Sequence, residues 1–146
     1  MCKYCIFLSR RLTECRDACL AESPTELMIR VLGSTMNKPC YASILEHSPA
    51  KPVLIFVSSR RQTRLTALDL ISYCAADENP KKFLHMSEER AAVIADTIVD
   101  SALRDTLLFG IGIHHAGLET SDRETVEQLF VQGHIQVLVC TSTLAW

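Results

Sequence analysis

The chain has 146 residues, with 15 Lys and Arg against 17 Asp and Glu and a formal net charge of -2. That is one domain's worth of core, too short for two full α/β domains, and its charge balance argues against a chain-wide electrostatic grip on nucleic acid. No apolar run reaches membrane-spanning length and Ile6-Phe7-Leu8 is too short for a signal-peptide core, so the expectation is an intracellular chain with no membrane partner, its seven Cys being free thiols.

Residues 1–51 read as a leader and linker. Cys2, Cys5, Cys15 and Cys19 form C-x2-C and C-x3-C pairs that could in principle hold zinc, but the intervening loop is short, His is absent, and Leu12, Cys15, Cys19 and Leu20 lie at helical spacing. Partly buried thiols are the reading preferred over a metal. Ser23 and Pro24 predict the start of a helix through Glu26 to Leu32, stopped at Gly33, and a second short helix is expected from Tyr41 to Glu46, after Pro39.

The folded part is expected over residues 52–146. Val53-Leu54-Ile55-Phe56-Val57 is a continuous apolar run that reads as a central buried strand. Ser59 can cap the helix behind it, for which Leu65, Leu68, Ile71 and Ala75 are the expected core stripe and Asp77-Glu78-Asn79-Pro80 the end. Arg60, Arg61 and Arg64 crowd the first turn, where cations oppose the helix dipole at a few tenths of a kcal/mol each, roughly. A bound anion would remove that conflict; a solvated face is the alternative. One helix, capped by Ser87, is predicted from Glu88 to about Leu103, with Ala91, Ile94, Ala95, Ile98 and Ala102 along one side.

Leu107 to Ile113 is apolar or Gly throughout and predicts a strand buried on both faces, leading into His114-His115-Ala116-Gly117. Ser121 and Glu124 read as a capping box for the next helix, whose inner face is Val126, Leu129 and Phe130 and whose end is Gly133. The loop fails as a P-loop, because Leu118 and Glu119 stand where Lys and Ser/Thr are needed, and as a dinucleotide fingerprint, because His115 replaces the third glycine. Neither His has an evident carboxylate partner; they donate to a phosphodiester backbone or satisfy loop carbonyls. Ile135 to Cys140 predicts a third buried strand, with Thr141-Ser142-Thr143 at its carboxyl end, and Cys140 reads as apolar filling rather than a nucleophile. In a parallel sheet, Ser58 to Arg61, His114 to Gly117 and Thr141 to Thr143 share one edge. A polyanion tracking that edge accounts for all three.

VLIFVSSRRQTRLT at Val53 to Thr66, GIGIHHAGL at Gly110 to Leu118 with Asp122-Arg123, and VLVCTSTLAW at Val137 to Trp146 resemble motifs IV, IVa and the opening of motif V of superfamily 2 DExH-box helicases. The resemblance runs from about Met36 to Trp146 and has three motifs in order. It implies the α/β, parallel-sheet, RecA-like fold of the second helicase domain, in truncated form. It also implies that Ser59, Arg60, Arg61 and Gln62, then His114, His115, Gly117 and Arg123, then Thr141 and Thr143, lie along single-stranded RNA or DNA. The family joins two such domains around ATP and magnesium. The ATP-gripping Lys, the DExH acids and motif VI have no match here, so the chain is expected to bind no ATP or metal alone. Its implied partners are the first RecA-like domain and subunits of a larger, nuclear helicase complex. A non-catalytic product that binds nucleic acid or competes for such partners is the alternative.

Overall fold

The computed structural model describes residues 36–141 throughout and, ahead of them, two strand backbones, β1 (Cys5–Phe7) and β2 (Leu27–Arg30). The cysteine pairs weighed for zinc and the hydroxyls of Ser142 and Thr143 lie outside the described side chains. In chain order there follow α1 (Asn37–His47), β3 (Val53–Val57), α2 (Arg60–Ala76), α3 (Glu88–Ala95), α4 (Ser101–Leu107), β4 (Ile111–His114), α5 (Thr120–Val131) and β5 (Val137–Thr141). All five strands are parallel, in the order β1-β2-β3-β5-β4.

The parallel arrangement follows from the patterning. Every residue of β4 and β5 is buried, as a strand covered by helices on both faces requires. The chain steps from β3 past the position of β5 to β4 and then back, so right-handed crossovers put α2 and α5 on opposite faces. On the α5 face the approach is close: a Cβ on Gly112 would lie 2.5 Å from Cγ2 of Val126. Alternation along the strand then sends His114 to the same face as Gly112.

Four predicted elements are corrected. Leu27–Arg30 is a strand paired with Leu27↔Val53 through Arg30↔Phe56, not part of a helix. α1 begins at Asn37, two residues before Pro39, whose missing N–H falls in a first turn that has no intrahelical acceptor for it. Leu107 belongs to α4, and β4 starts only after Gly110, whose φ of +79° turns the chain; a Cβ there would strike the Phe83 backbone at 2.1 Å. The single helix over 88–103 is two, α3 and α4. Asp100 caps the second by accepting from the Leu103 N–H at 2.9 Å.

α2 has the predicted cap and end but a different inner face. Ser59 accepts from the Gln62 N–H at 3.3 Å. Thr63, Thr66, Ala67, Leu70 and Cys74 are buried, whereas Leu65 and Leu68 are 39% and 42% exposed and Ala75 is exposed. Threonines can face inward here because their hydroxyls are satisfied. Thr63 donates to the Arg60 carbonyl at 2.6 Å and Thr66 to Oδ1 of buried Asn37 at 3.4 Å. Asn37 also donates to Asp69 at 2.5 Å, and Tyr41 donates to Asp77 at 2.6 Å, so the first half of α1 is fastened to the second half of α2 and its C-cap. Burial, and then the Asp77 carboxylate, push the Tyr41 phenol up.

The predicted capping box on α5 is also replaced. The helix starts at Thr120, its N-cap is Glu119 without a side-chain bond, and Ser121 is inside the first turn. Its carboxyl end is as expected. Gly133, at φ +71°, donates to the Phe130 carbonyl at 3.0 Å and His134 to that of Leu129 at 2.9 Å, the paired bonds of a Schellman ending.

Candidate nucleic-acid interface

Register sets the edge. Val57↔Thr141 and His114↔Cys140 place the carboxyl ends of β3, β5 and β4 side by side, so the loops after β3 and β4 flank the end of β5. Strands in a sheet are spaced by roughly 4.8 Å, which separates the outer two loops by roughly twice that. Arg60 closes the gap. Its guanidinium covers the Gly117 backbone so closely that a Cβ on Gly117 would lie 2.5 Å from Nη1 and 2.9 Å from Cζ.

His115 belongs to the same loop and bonds the same glycine. Its Nδ1 accepts from the Gly117 N–H at 3.2 Å, which leaves the proton of the neutral ring on Nε2. Burial holds the imidazole below its ordinary value, Arg60 and His114 act in the same direction, and the Asp100 carboxylate opposes them. Near neutral pH the ring is therefore an uncharged donor through Nε2. Arg60 and Arg61 are exposed, as are Ser58 and Ser59.

Other sequence-selected residues are differently occupied. Gln62 is held along its own helix, donating through Nε2 to Thr66 one turn on at 3.2 Å. The expectation of unpaired histidines is corrected for His114, which is 7% exposed and holds Oε1 of Glu127 on α5 at 2.7 Å through Nε2. That nitrogen is committed within the domain. Arg123 donates from Nη2 to Thr120 at 3.1 Å, while its buried Nε has no partner. Thr141 is buried at the end of β5, and Thr143 lies outside the described residues. Cys140 is fully buried and its thiol is pushed up to about 12 by that burial, which suits apolar filling.

Sequence reasoning missed two acids around this edge, Glu127 and Asp100, and quoted a third, Asp122, only as part of a motif with no role given to it. Glu127 follows the inner-face residue Val126, and only the contact with β4 reveals it. Buried Asp122 accepts from the N–H groups of Val99 and Asp100 at 3.2 Å and 2.9 Å, which holds the extended residues just ahead of α4. Asp100 itself had a legible signal, an Asp standing directly before Ser101-Ala102-Leu103, but the long apolar stripe concealed it.

These features define a parallel α/β domain with an arginine-bearing edge at the carboxyl ends of its strands, where such sheets place ligands. No family model matches the chain. It is 64% identical over 113 residues to DExH-box ATP-dependent RNA helicase DExH14 of Arabidopsis thaliana, a match covering 77% of this chain and 5% of that protein. It is 61% identical over 113 residues to Activating signal cointegrator 1 complex subunit 3 of Homo sapiens, with the same 77% and 5% coverage. Against RQC trigger complex helicase SLH1 of Saccharomyces cerevisiae the identity is 52% over 124 residues, 84% of this chain and 6% of that protein. The chain is thus related to DExH-box helicases and corresponds to one segment of them, about a twentieth of their length.

Proposed function

We propose that this chain supplies the strand-contacting edge of the second RecA-like domain of a DExH-type helicase. The observation that carries the reading is Arg60 lying across Gly117, which joins the loops after β3 and β4 into one surface. Arg60 and Arg61 supply charge, His115 supplies a neutral Nε2–H donor, and Ser58 and Ser59 supply hydroxyls at the amino end of α2. Such a set suits a phosphodiester backbone, whose charge is spread one unit per nucleotide, better than a triphosphate. Contacts of this kind position a strand without reading its bases.

The fit to ATP and magnesium is poor. The loop ahead of α5 carries Leu118 and Glu119 where a phosphate cradle needs Lys and Ser/Thr, and Glu119, the exposed N-cap of α5, would repel a phosphate there. In the relatives' setting, the first RecA-like domain and the rest of a helicase complex would supply that chemistry, and a nuclear, RNA- or DNA-translocating parent is the corresponding reading.

The test is binding of a labelled single-stranded oligonucleotide by the purified chain at low and moderate salt. Salt-sensitive binding that is lost in a variant combining Arg60→Ala, Arg61→Ala and His115→Ala is the expected result. Binding that survives in the folded variant would place the strand elsewhere on the molecule.

A further inference from the structure

The segment between α3 and α4 is more firmly held than a connecting turn requires. The Ile98 carbonyl accepts from Nη2 of Arg104 at 2.7 Å and from Nε at 3.3 Å. The next two N–H groups, of Val99 and Asp100, both donate to the carboxylate of Asp122, at 3.2 Å and 2.9 Å. Asp100 then spends one oxygen on the Leu103 N–H at 2.9 Å, while its charge acts on His115. Asp122 is buried at 2% exposure on the first turn of α5, four residues after Leu118 and immediately before Arg123. A single buried carboxylate thus ties the downstream end of the His115–Gly117 loop to the segment that carries Asp100.

We propose that Asp122 is the positioning residue of this edge, its buried carboxylate holding residues 98–100 against the start of α5 and so fixing where the Asp100 backbone stands relative to the His115–Gly117 loop. The proposal rests on the reading of that edge as a strand-contacting surface. The charged and titratable groups acting on His115 come from three elements: Asp100 ahead of α4, Arg60 on α2 and His114 on β4. Of these, only Asp100 favours the protonated ring. Losing its placement should therefore move the ring's titration to lower pH, whereas a purely structural loosening that admitted water would relieve burial and move it upward. The sign separates positioning from packing.

The test follows the His115 imidazole by nuclear magnetic resonance across pH in the full chain, with assignment by His115→Gln. Asp100→Asn keeps the oxygen that caps α4 and removes the charge; Asp122→Asn keeps the size of the side chain but turns an amide toward one of the two N–H groups it serves. Titration displaced to lower pH in both variants is expected, together with weaker oligonucleotide binding by Asp122→Asn at unchanged salt. An unmoved or raised titration in either folded variant overturns the proposal. If Asp122→Asn does not fold, Arg104→Gln loosens the same segment at Ile98 and should give the same downward displacement, although removal of a cation would by itself raise it; no downward movement there overturns the proposal as well. Failure of the wild-type chain to bind the oligonucleotide, with the titration displaced as expected, would refute the strand-contacting reading and leave the positioning role standing.

Discussion

Replacing Gly117 with Ala places a methyl group 2.5 Å from Nη1 and 2.9 Å from Cζ of Arg60, and something must move. The neighbour is the far end of a long, exposed side chain, and Gly117 has no positive φ for a Cβ to oppose. The guanidinium therefore swings away at little cost, and the change in stability should stay within about 0.5 kcal/mol. Binding is another matter if Arg60 holds a phosphate from this position. A hydrogen bond to a charged partner contributes about 1.5–3 kcal/mol, which corresponds to a loss of about 10- to 150-fold. One phosphate contact fewer also removes about 0.7 from the slope of log affinity against log salt on a single strand. Between salt concentrations differing fourfold, affinity should consequently fall about 2.6-fold less in the variant than in the wild type. Fluorescence anisotropy with a labelled oligonucleotide gives both quantities, and thermal melting gives the stability. The double variant with Arg60→Ala should lose no more than Arg60→Ala alone, because both changes remove the same contact. Additive losses, or a Gly117→Ala chain that binds with the wild-type slope, would refute the placement of Arg60 as the cause.

Two further predictions concern the scaffold. Leu70, wholly buried on α2, should cost about 2–5 kcal/mol when cut to Ala, while Leu68→Ala on the exposed side should stay near 0.5 kcal/mol, read from urea denaturation midpoints; equal losses would put the helix in the wrong rotation. Because His115 is held below its ordinary value of 6.5, the unfolded chain binds more protons at this site between that pH and the lowered value. Its contribution to stability is accordingly complete above pH 6.5 and lost as pH falls below it, and urea midpoints against pH should show a decline that is smaller in His115→Gln.

The parts of this fold that sequence reveals are those whose cause is local. The run Val53 to Val57 has one apolar solution, Ser59 has a free amide three residues ahead of it, and Gly133 has a conformation that other residues resist. The parts it conceals are decided by partners far along the chain. Leu27–Arg30 is too short for periodicity to separate strand from helix, and its pairing with β3 decides the matter. The inner face of α2 was misassigned because Thr63 and Thr66 look like surface residues until the acceptors of their hydroxyls are known, one of them Asn37 on another helix. The stripe from Ala91 to Ala102 is a continuous helical signal, yet Asp122, 22 residues beyond Asp100, supplies the acceptors that let the backbone break between α3 and α4. The same distinction governs the edge itself. Arg60, His115 and Gly117 can be selected from sequence because their residue types suit phosphate, but His114, an equal candidate by type, is drawn away by Glu127 on the helix that covers its face. What remains at the surface is thus set by which polar groups the interior has already claimed, and the acids that make those claims carry the functional geometry as much as the basic groups they leave exposed.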